Sequence, residues 1–139
     1  MLERVKIATS YRCFLFDFDG VIKESLGVKA NAFVEVFKPL AGDEVLERIQ
    51  QHHYENGGLP RSEKIKVYLG WLGFQPNCKL VDEFVSRFSI FVSDLVISEQ
   101  FVPGFQDFVR TLPSNAIKGV ISASPQGELE YIMSQLDLP

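Results

Sequence analysis

The stretch FLFDFDG, residues 14–20, places two carboxylates, Asp17 and Asp19, at the end of an apolar run. Residues 13–16 predict a short buried strand, because the strands of a buried parallel sheet are apolar throughout. Two acids one residue apart repel each other and resist burial, so their position needs a reason. Ligands of open α/β sheets bind beyond the carboxyl ends of the strands, where these acids are expected to lie. Gly20 predicts a tight turn directly after them.

Helical periodicity fills most of the chain after this stretch. A first helix is predicted from Val28 to Phe37 and is ended by Pro39. Asp43 is the predicted N-cap of a second helix, which stops at the breaker Asn56-Gly57-Gly58. A third helix is predicted over 62–72, and Asn77 is the predicted cap of a long fourth helix. Residues 28–97 are therefore expected to form a small all-helical unit.

A second strand is predicted at residues 117–121, IKGVI, after a short helix that follows Pro103-Gly104. The segment SASPQGE, 122–128, is a strand-to-helix turn, and a last helix follows it. The order is strand, helical insert, helix, strand, helix, which is typical of an α/β fold with parallel strands. The predicted domains are a core made of residues 1–23 and 98–139 and a helical cap made of residues 24–97.

The amino-acid composition and charge of the chain exclude several classes of function. The chain has 46% hydrophobic and 23% charged residues and a net charge of −4, as in an ordinary globular protein. Its basic residues are scattered, so neither nucleic acid nor membrane is an expected partner. Cys13 and Cys78 match neither a disulfide framework nor a metal motif, which favours the reducing cytoplasm. Residues 1–12 lack the apolar segment of a signal peptide, and no run approaches the ~20 apolar residues of a membrane span.

The residues alone indicate phosphate or metal chemistry. One carboxylate could attack an electrophile or ligate a cation while its neighbour moves a proton, and a divalent cation would offset their repulsion. Ser122 and the backbone N–H groups that follow it, beginning with Ala123, would suit a phosphate at a helix N-terminus. The alternative is that Asp17 and Asp19 are only turn residues. The preceding strand and the second strand ending in Ser-Ala-Ser weigh against that alternative.

At these residues the chain resembles the haloacid dehalogenase-like superfamily of phosphohydrolases. FDFDGVIKES, 16–25, resembles the first motif of that superfamily, and GVISAS, 119–124, resembles the second. The long segment between them resembles a helical cap, as in phosphoglycolate phosphatase-like and β-phosphoglucomutase-like members. The resemblance implies a partial Rossmann-like core of parallel strands with a cap inserted between the first and second motifs.

The resemblance also implies a reaction on a small anionic or sugar phosphate. Asp17 would be the nucleophile that forms an aspartyl-phosphate, and Asp19 would be the general acid and base. The Asp17 carboxylate and the Asp19 backbone carbonyl would bind Mg²⁺, and Ser122 would hold the phosphoryl group. Asp19 also argues against a dehalogenase, since that chemistry needs only the nucleophile and a non-acidic neighbour.

The polar segment 52–64, HHYENGGLPRSEK, is the predicted substrate contact of the cap. Arg61 and Lys64 are two cations one helical turn apart, and an Arg fork can hold a carboxylate or phosphate. The alternative is an ordinary solvated helix start. The segment resembles the specificity loop of β-phosphoglucomutase-like members and, more closely, a subgroup with a His-X-X-Asn-Gly-Gly-X-X-Arg-X-X-Lys pattern. His53 begins that pattern here, but a plain polar contact is the favoured interpretation of its side chain.

The sequence differs from the superfamily pattern at Lys29 and after Ser124. Lys29 stands where many relatives have His, which favours a phosphatase over a phosphomutase. The third and fourth motifs of the superfamily, a cation and an acidic pair, have no counterpart after Ser124. The sequence is therefore expected to be a C-terminally truncated unit with little activity by itself. A two-stranded sheet is marginal, so self-association through its uncovered face is expected. A non-catalytic module that binds phosphate or a partner remains the alternative function.

Overall fold

The computed structural model describes residues 10–139. The prediction that residues 1–12 are not a signal peptide lies almost wholly outside them. The strands are β1 (Cys13–Asp17) and β2 (Ile117–Ile121). The helices of the described part are α1 (Leu26–Phe37), α2 (Asp43–Glu55), α3 (Arg61–Trp71), α4 (Cys78–Ser98), α5 (Phe105–Thr111) and α6 (Gln126–Gln135).

The two strands pair in parallel, which confirms the predicted α/β class. The register runs from Cys13 opposite Ile117 to Asp17 opposite Ile121, so both strands end at the same edge. One face is covered, since Phe16 packs edge-on against Phe105 of α5 at a ring distance of 5.4 Å. The connection from β1 to β2 contains the whole helical insert.

The other face of the sheet is open to solvent. Leu15 is 62% exposed, Ile117 68% and Ile121 59%, and their register places them on one side. A Cβ at Gly119 would approach Cδ2 of Leu15 to 2.9 Å, so the glycine lets this leucine lie across β2. An apolar face of this kind is a candidate contact surface.

Helices α1 to α4, which correspond to the predicted cap and are called the cap below, pack around an aromatic core. Phe33 and Phe37 of α1 pack against Tyr68 of α3 and against Phe88 and Phe84 of α4. All of these side chains are buried, and each contributes roughly 1.5–3 kcal/mol of transfer free energy. This core fixes α1 and α3, the helices that carry the basic side chains of the site. Within residues 10–139 no helix is both long enough and apolar enough to cross a membrane.

Two chain segments join the cap to the core, and Lys23 fastens them together. Its ammonium donates to the carbonyl of Ile97 at 3.1 Å and to that of Glu99, at the C-terminal end of α4. A cation there interacts favourably with the negative end of the helix dipole. The N–H of Glu24 also donates to the carbonyl of Gln100 at 3.0 Å. The junction therefore has a defined geometry, which positions the cap over the ends of β1 and β2.

Candidate functional site

Asp17 is the last residue of β1 and lies opposite Ile121, the last residue of β2. Its side chain is exposed, and Oδ1 accepts a hydrogen bond from the N–H of Phe18 at 2.7 Å. Ser122 follows Ile121, so the parallel register brings the predicted nucleophile and the predicted phosphate ligand to one edge of the sheet. Gly20 adopts a positive φ of 75°, which forms the predicted turn after the acids.

Asp19 is held by two side chains from the start of the cap. The ammonium of Lys29 donates to Oδ2 at 2.7 Å, and the hydroxyl of Ser25 donates to Oδ1. Lys29 also donates to Oγ of Ser124 at 2.8 Å, so it bridges the loops after β1 and β2. Lys29 and Ser25 are both buried, which makes these contacts stronger than they would be in water.

The loop after β2 closes on itself. Oγ of Ser122 accepts a hydrogen bond from the N–H of Ser124 at 3.1 Å. This bond turns the backbone at Ala123, which is exposed and lines the neighbouring pocket. The loop therefore presents Ala123 and Ser124 beside Asp19, directly before α6.

A pocket with a cavity volume of about 30 Å³ lies between these loops and the cap. It brings together the core residues Asp19, Ala123 and Ser124 and the cap residue Lys29. The remaining lining comes from the cap: Phe33, His53, Gly57, Leu59, Arg61, Lys64 and Phe88. The pocket is small and rich in cations, which suits a small anionic ligand.

Lys64 and His53 form a buried pair on the cap side of this pocket. The Lys64 ammonium lies 3.1 Å from Nδ1 of His53, and the two residues are 2% and 4% exposed. Burial, with a smaller contribution from the neighbouring Lys29 cation, lowers the pKa of Lys64 to about 8. Burial and the Lys64 cation lower the pKa of His53 to about 4. At neutral pH the imidazole is therefore uncharged and the amine is mainly an ammonium ion.

Arg61 is engaged by Glu128 of α6. Its guanidinium donates to both carboxylate oxygens, at 2.7 and 2.8 Å, and to Oγ of Ser89 at 2.9 Å. The guanidinium also lies 4.1 Å from the ring centroid of Phe88. Burial raises the pKa of the Glu128 carboxyl, but the hydrogen bonds from Arg61 and Ser89 and the charges of Arg61 and Lys29 together lower it by more, so that the net direction is down. This fork connects α3 and α4 of the cap with α6 of the core.

Of the residues predicted from sequence, Asp19, Arg61, Lys64 and Ala123 line one pocket, whereas Asp17 and Ser122 lie at the ends of β1 and β2 and are not among its lining residues. Sequence reasoning did not select Glu128, Ser89 or the paired role of His53. It noted Lys29 only as a departure from relatives. The sequence contains one weak indication of two of these residues. Lys29 and Glu128 each lie in the first turn of the helix that follows a predicted site loop.

The acids at the sheet edge fit a magnesium ion in part. No group of three or more His, Cys, Asp or Glu suited to a metal lies within residues 10–139. Mg²⁺, however, keeps several waters and binds through one or two carboxylates together with substrate phosphates. Asp17 is exposed and has the oxygen donors that this ion prefers, whereas the Asp19 carboxylate is already engaged by Lys29 and Ser25. Asp17 and the Asp19 backbone carbonyl are therefore the donors that could hold the ion.

Solved structures place this architecture among known folds, although no protein-family model and no curated protein matches the sequence. A "putative haloacid dehalogenase-like hydrolase" from Bacteroides fragilis is similar with a TM-score of 0.64 and 16% identity, over 93% of this chain and 59% of that one. A "putative phosphoglycolate phosphatase" from Lactobacillus plantarum is similar with a TM-score of 0.66 and 18% identity, over 91% of this chain and 56% of that one. A "putative beta-phosphoglucomutase" from Thermotoga maritima is similar with a TM-score of 0.57 and 18% identity, over 92% of this chain and 57% of that one.

These identities are low, so the likeness concerns the fold and not the substrate or the reaction. The chain spans between 56% and 59% of the length of these three proteins. The match covers both strands and the helical insert together, because it extends over more than nine-tenths of the present chain. This chain has the fold of part of a haloacid dehalogenase-like hydrolase.

Proposed function

We propose that this chain supplies the nucleophile half of a magnesium-dependent phosphomonoesterase that acts on a small anionic phosphate or sugar phosphate. The observation that carries the proposal is the parallel register. It brings Asp17, Asp19 and the Ser122 loop to one edge of the sheet, beside a pocket lined by Lys29, Arg61 and Lys64. Paired carboxylates, a hydroxyl-bearing loop before a helix and neighbouring cations are groups that phosphoryl transfer uses.

The proposed chemistry divides into two steps. The Asp17 carboxylate attacks phosphorus, the ester P–O bond breaks, and the Asp19 carboxyl gives its proton to the departing oxygen. Water then attacks the phosphorus of the aspartyl-phosphate, Asp19 takes a proton from that water, and Asp17 leaves with its carboxylate restored. Lys29 and Ser25 fix the position of Asp19 for both proton transfers, since each binds one of its oxygens.

The Ser122 loop holds the phosphoryl group through the Ser122 hydroxyl and the N–H groups that follow. Mg²⁺ would be held by the Asp17 carboxylate and the Asp19 backbone carbonyl. When bound, it supplies positive charge against the phosphoryl oxygens and the paired acids. The expected partner is a small phosphorylated metabolite in the cytoplasm rather than nucleic acid or membrane.

The 139 residues on their own are expected to show little or no turnover. They span less than three-fifths of the solved structures they resemble, and no cation clamp or second acidic pair follows Ser124 in the sequence. Removing such charges from a site that stabilises a developing phosphoryl charge costs orders of magnitude in rate.

The test is hydrolysis of p-nitrophenyl phosphate by the natural gene product that contains this chain, with and without Mg²⁺. We expect activity that depends on the metal and is abolished by Asp17→Asn, which keeps the shape but removes the nucleophile. Asp19→Asn should reduce turnover strongly while leaving phosphate binding intact. Unchanged hydrolysis in the Asp17 variant would refute the proposal, and phosphate binding without any hydrolysis would favour the non-catalytic module.

A further inference from the structure

Arg61 lies between two hollows that separate the cap from the loop after β2. The smaller hollow has a volume of about 30 Å³ and includes Asp19, and the larger has a volume of about 230 Å³ and includes Val85. Both hollows are lined by Arg61, Ala123 and Ser124. Arg61 is the charged residue that they share, so its position decides whether the two hollows join.

The smaller hollow does not have room for a phosphate ester. A cavity of about 30 Å³ holds roughly two water molecules, because one water needs about 10–15 Å³. The phosphoryl group of an ester, with its phosphorus and oxygens, is already larger than that. An ester bound at the loop after β2 therefore gains space beside Asp19 only if Arg61 moves.

Glu128 holds Arg61 in this position. Its two carboxylate oxygens accept hydrogen bonds from the guanidinium at 2.7 and 2.8 Å. Oγ of Ser89 accepts from Arg61 at 2.9 Å and donates to Glu128 at 3.0 Å. The side chains of Arg61 and Glu128 are only 6% and 8% exposed. Carboxylates and phosphates bind a guanidinium in the same bidentate geometry, so Glu128 occupies the place that a phosphate would use.

Exchange of one anion for another on Arg61 is less costly than loss of the anion. Breaking a buried ion pair leaves an uncompensated charge, but a phosphate that replaces Glu128 keeps the guanidinium paired. Glu128 lies in the first turn of α6, where the positive end of the helix dipole stabilises a carboxylate. The released Glu128 therefore retains a favourable environment, and the two arrangements can interconvert.

We propose that Glu128 is an autoinhibitory carboxylate, which occupies the Arg61 guanidinium until the phosphate of the substrate displaces it. This inference rests on the proposed function, which assigns the phosphoryl group to the loop that includes Ala123 and Ser124. While Glu128 binds Arg61, the cap is fastened to α6 and the site is closed. The affinity for substrate is then reduced by the fraction of molecules in which Arg61 is free.

The experiment measures the binding of inorganic phosphate to the natural gene product by calorimetry. Glu128→Gln weakens the hold on Arg61, so we expect phosphate to bind roughly 10- to 100-fold more tightly, the range of a charged hydrogen bond. Adding Arg61→Met should abolish this gain. Glu130→Gln is the matched control, because it removes the same charge from α6 at an exposed residue that binds Gln126. This control should change the affinity by less than about twofold.

A spectroscopic measurement on the protein of natural sequence keeps the inference testable if Glu128→Gln folds poorly. Saturating phosphate should move the carboxyl carbon resonance of Glu128 towards that of the exposed Glu130. The inference is overturned if phosphate binds while this resonance stays in place, or if the folded Glu128→Gln variant binds phosphate no more tightly than Glu130→Gln does. Absence of both phosphate binding and p-nitrophenyl phosphate hydrolysis would instead count against the proposed function.

Discussion

The ammonium of Lys29 lies 2.7 Å from Oδ2 of Asp19, although the two residues belong to the cap and the core. The same ammonium reaches Oγ of Ser124 at 2.8 Å, so a single cap side chain connects the loops that follow β1 and β2. The side chain of Lys29 is only 7% exposed and that of Asp19 is 20% exposed. Cap position and acid orientation are therefore coupled through one ion pair.

Replacing Lys29 by Met should both destabilise the fold and slow the reaction. The change leaves the half-buried Asp19 carboxylate with only Ser25, so we expect a loss of about 1–3 kcal/mol in the free energy of unfolding. It also frees Asp19 to rotate, so kcat should fall more than substrate binding weakens. Urea denaturation and steady-state kinetics on the natural gene product measure the two effects.

The control for this variant is Lys38→Met, since Lys38 is exposed and pairs with Glu35 on the surface. That change should alter stability by less than about 0.5 kcal/mol. If Lys29→Met behaved like Lys38→Met in both measurements, the ion pair would have no role in holding Asp19.

Arg61 and Glu128 should show strong energetic coupling. Their side chains are only 6% and 8% exposed, and removing one partner leaves the other charge buried. We expect Arg61→Met and Glu128→Gln each to cost about 3 kcal/mol, with the double variant costing clearly less than the sum. Equilibrium denaturation of the four proteins in the cycle gives the coupling energy.

The exposed pair Arg87 and Glu83 on α4 provides the comparison for that cycle. An exposed pair four residues apart on a helix should couple by only about 0.3–0.5 kcal/mol. Equal coupling in the two cycles would show that the fork between cap and core adds nothing beyond a surface ion pair.

Much of the fold was predictable because its signals are local. Apolar runs bounded by turn residues marked both strands, and Asn77 caps α4 as predicted, with its side chain accepting from the N–H of Leu80 at 2.9 Å. The prediction of Asp43 as an N-cap was wrong by one residue. Gly42 occupies that position, and Asp43 lies in the first turn, where its charge favours the positive end of the helix.

The predictable residues of the site follow strands or lie within a few positions of one another in sequence. Asp17 and Asp19 were predictable because they lie one residue apart after an apolar run. Ser122 was predictable because it directly follows a predicted strand. Lys29 and Ser124 are 95 residues apart, and Arg61 and Glu128 are 67 apart. Which helices meet depends on the packing of the cap core, and a single sequence carries no signal of such distant pairs.

Acid should destabilise the protein through His53. Its pKa is lowered from 6.5 to about 4 in the folded state, so the unfolded chain binds the proton more readily between these values. Stability is therefore highest above pH 6.5 and falls as pH drops towards 4, by on the order of 2–3 kcal/mol from this residue. Denaturation midpoints measured across that range test the slope.

His53→Gln should flatten this pH dependence, because glutamine does not titrate. His52→Gln is the comparison, since burial also lowers the pKa of His52 but that side chain is only half-buried. Replacing His52 should change the pH dependence of stability by less than replacing His53. A slope unchanged by His53→Gln would place the acid sensitivity in other groups.

The open face of the sheet should drive self-association of the 139-residue chain. Leu15, Ile117 and Ile121 are each more than half exposed on one side of a two-stranded sheet. We propose that a second copy of the chain covers this face, because an apolar patch on an unpaired sheet lowers its free energy by meeting another such patch. Sedimentation velocity over a wide range of concentrations should show oligomers that Ile121→Lys converts to monomers, since the new charge would be buried in the contact. Phe74→Lys is the control, as Phe74 is an exposed apolar residue in the loop between α3 and α4. It should leave association unchanged, and a wild-type chain that stays monomeric throughout would exclude the sheet face as a contact.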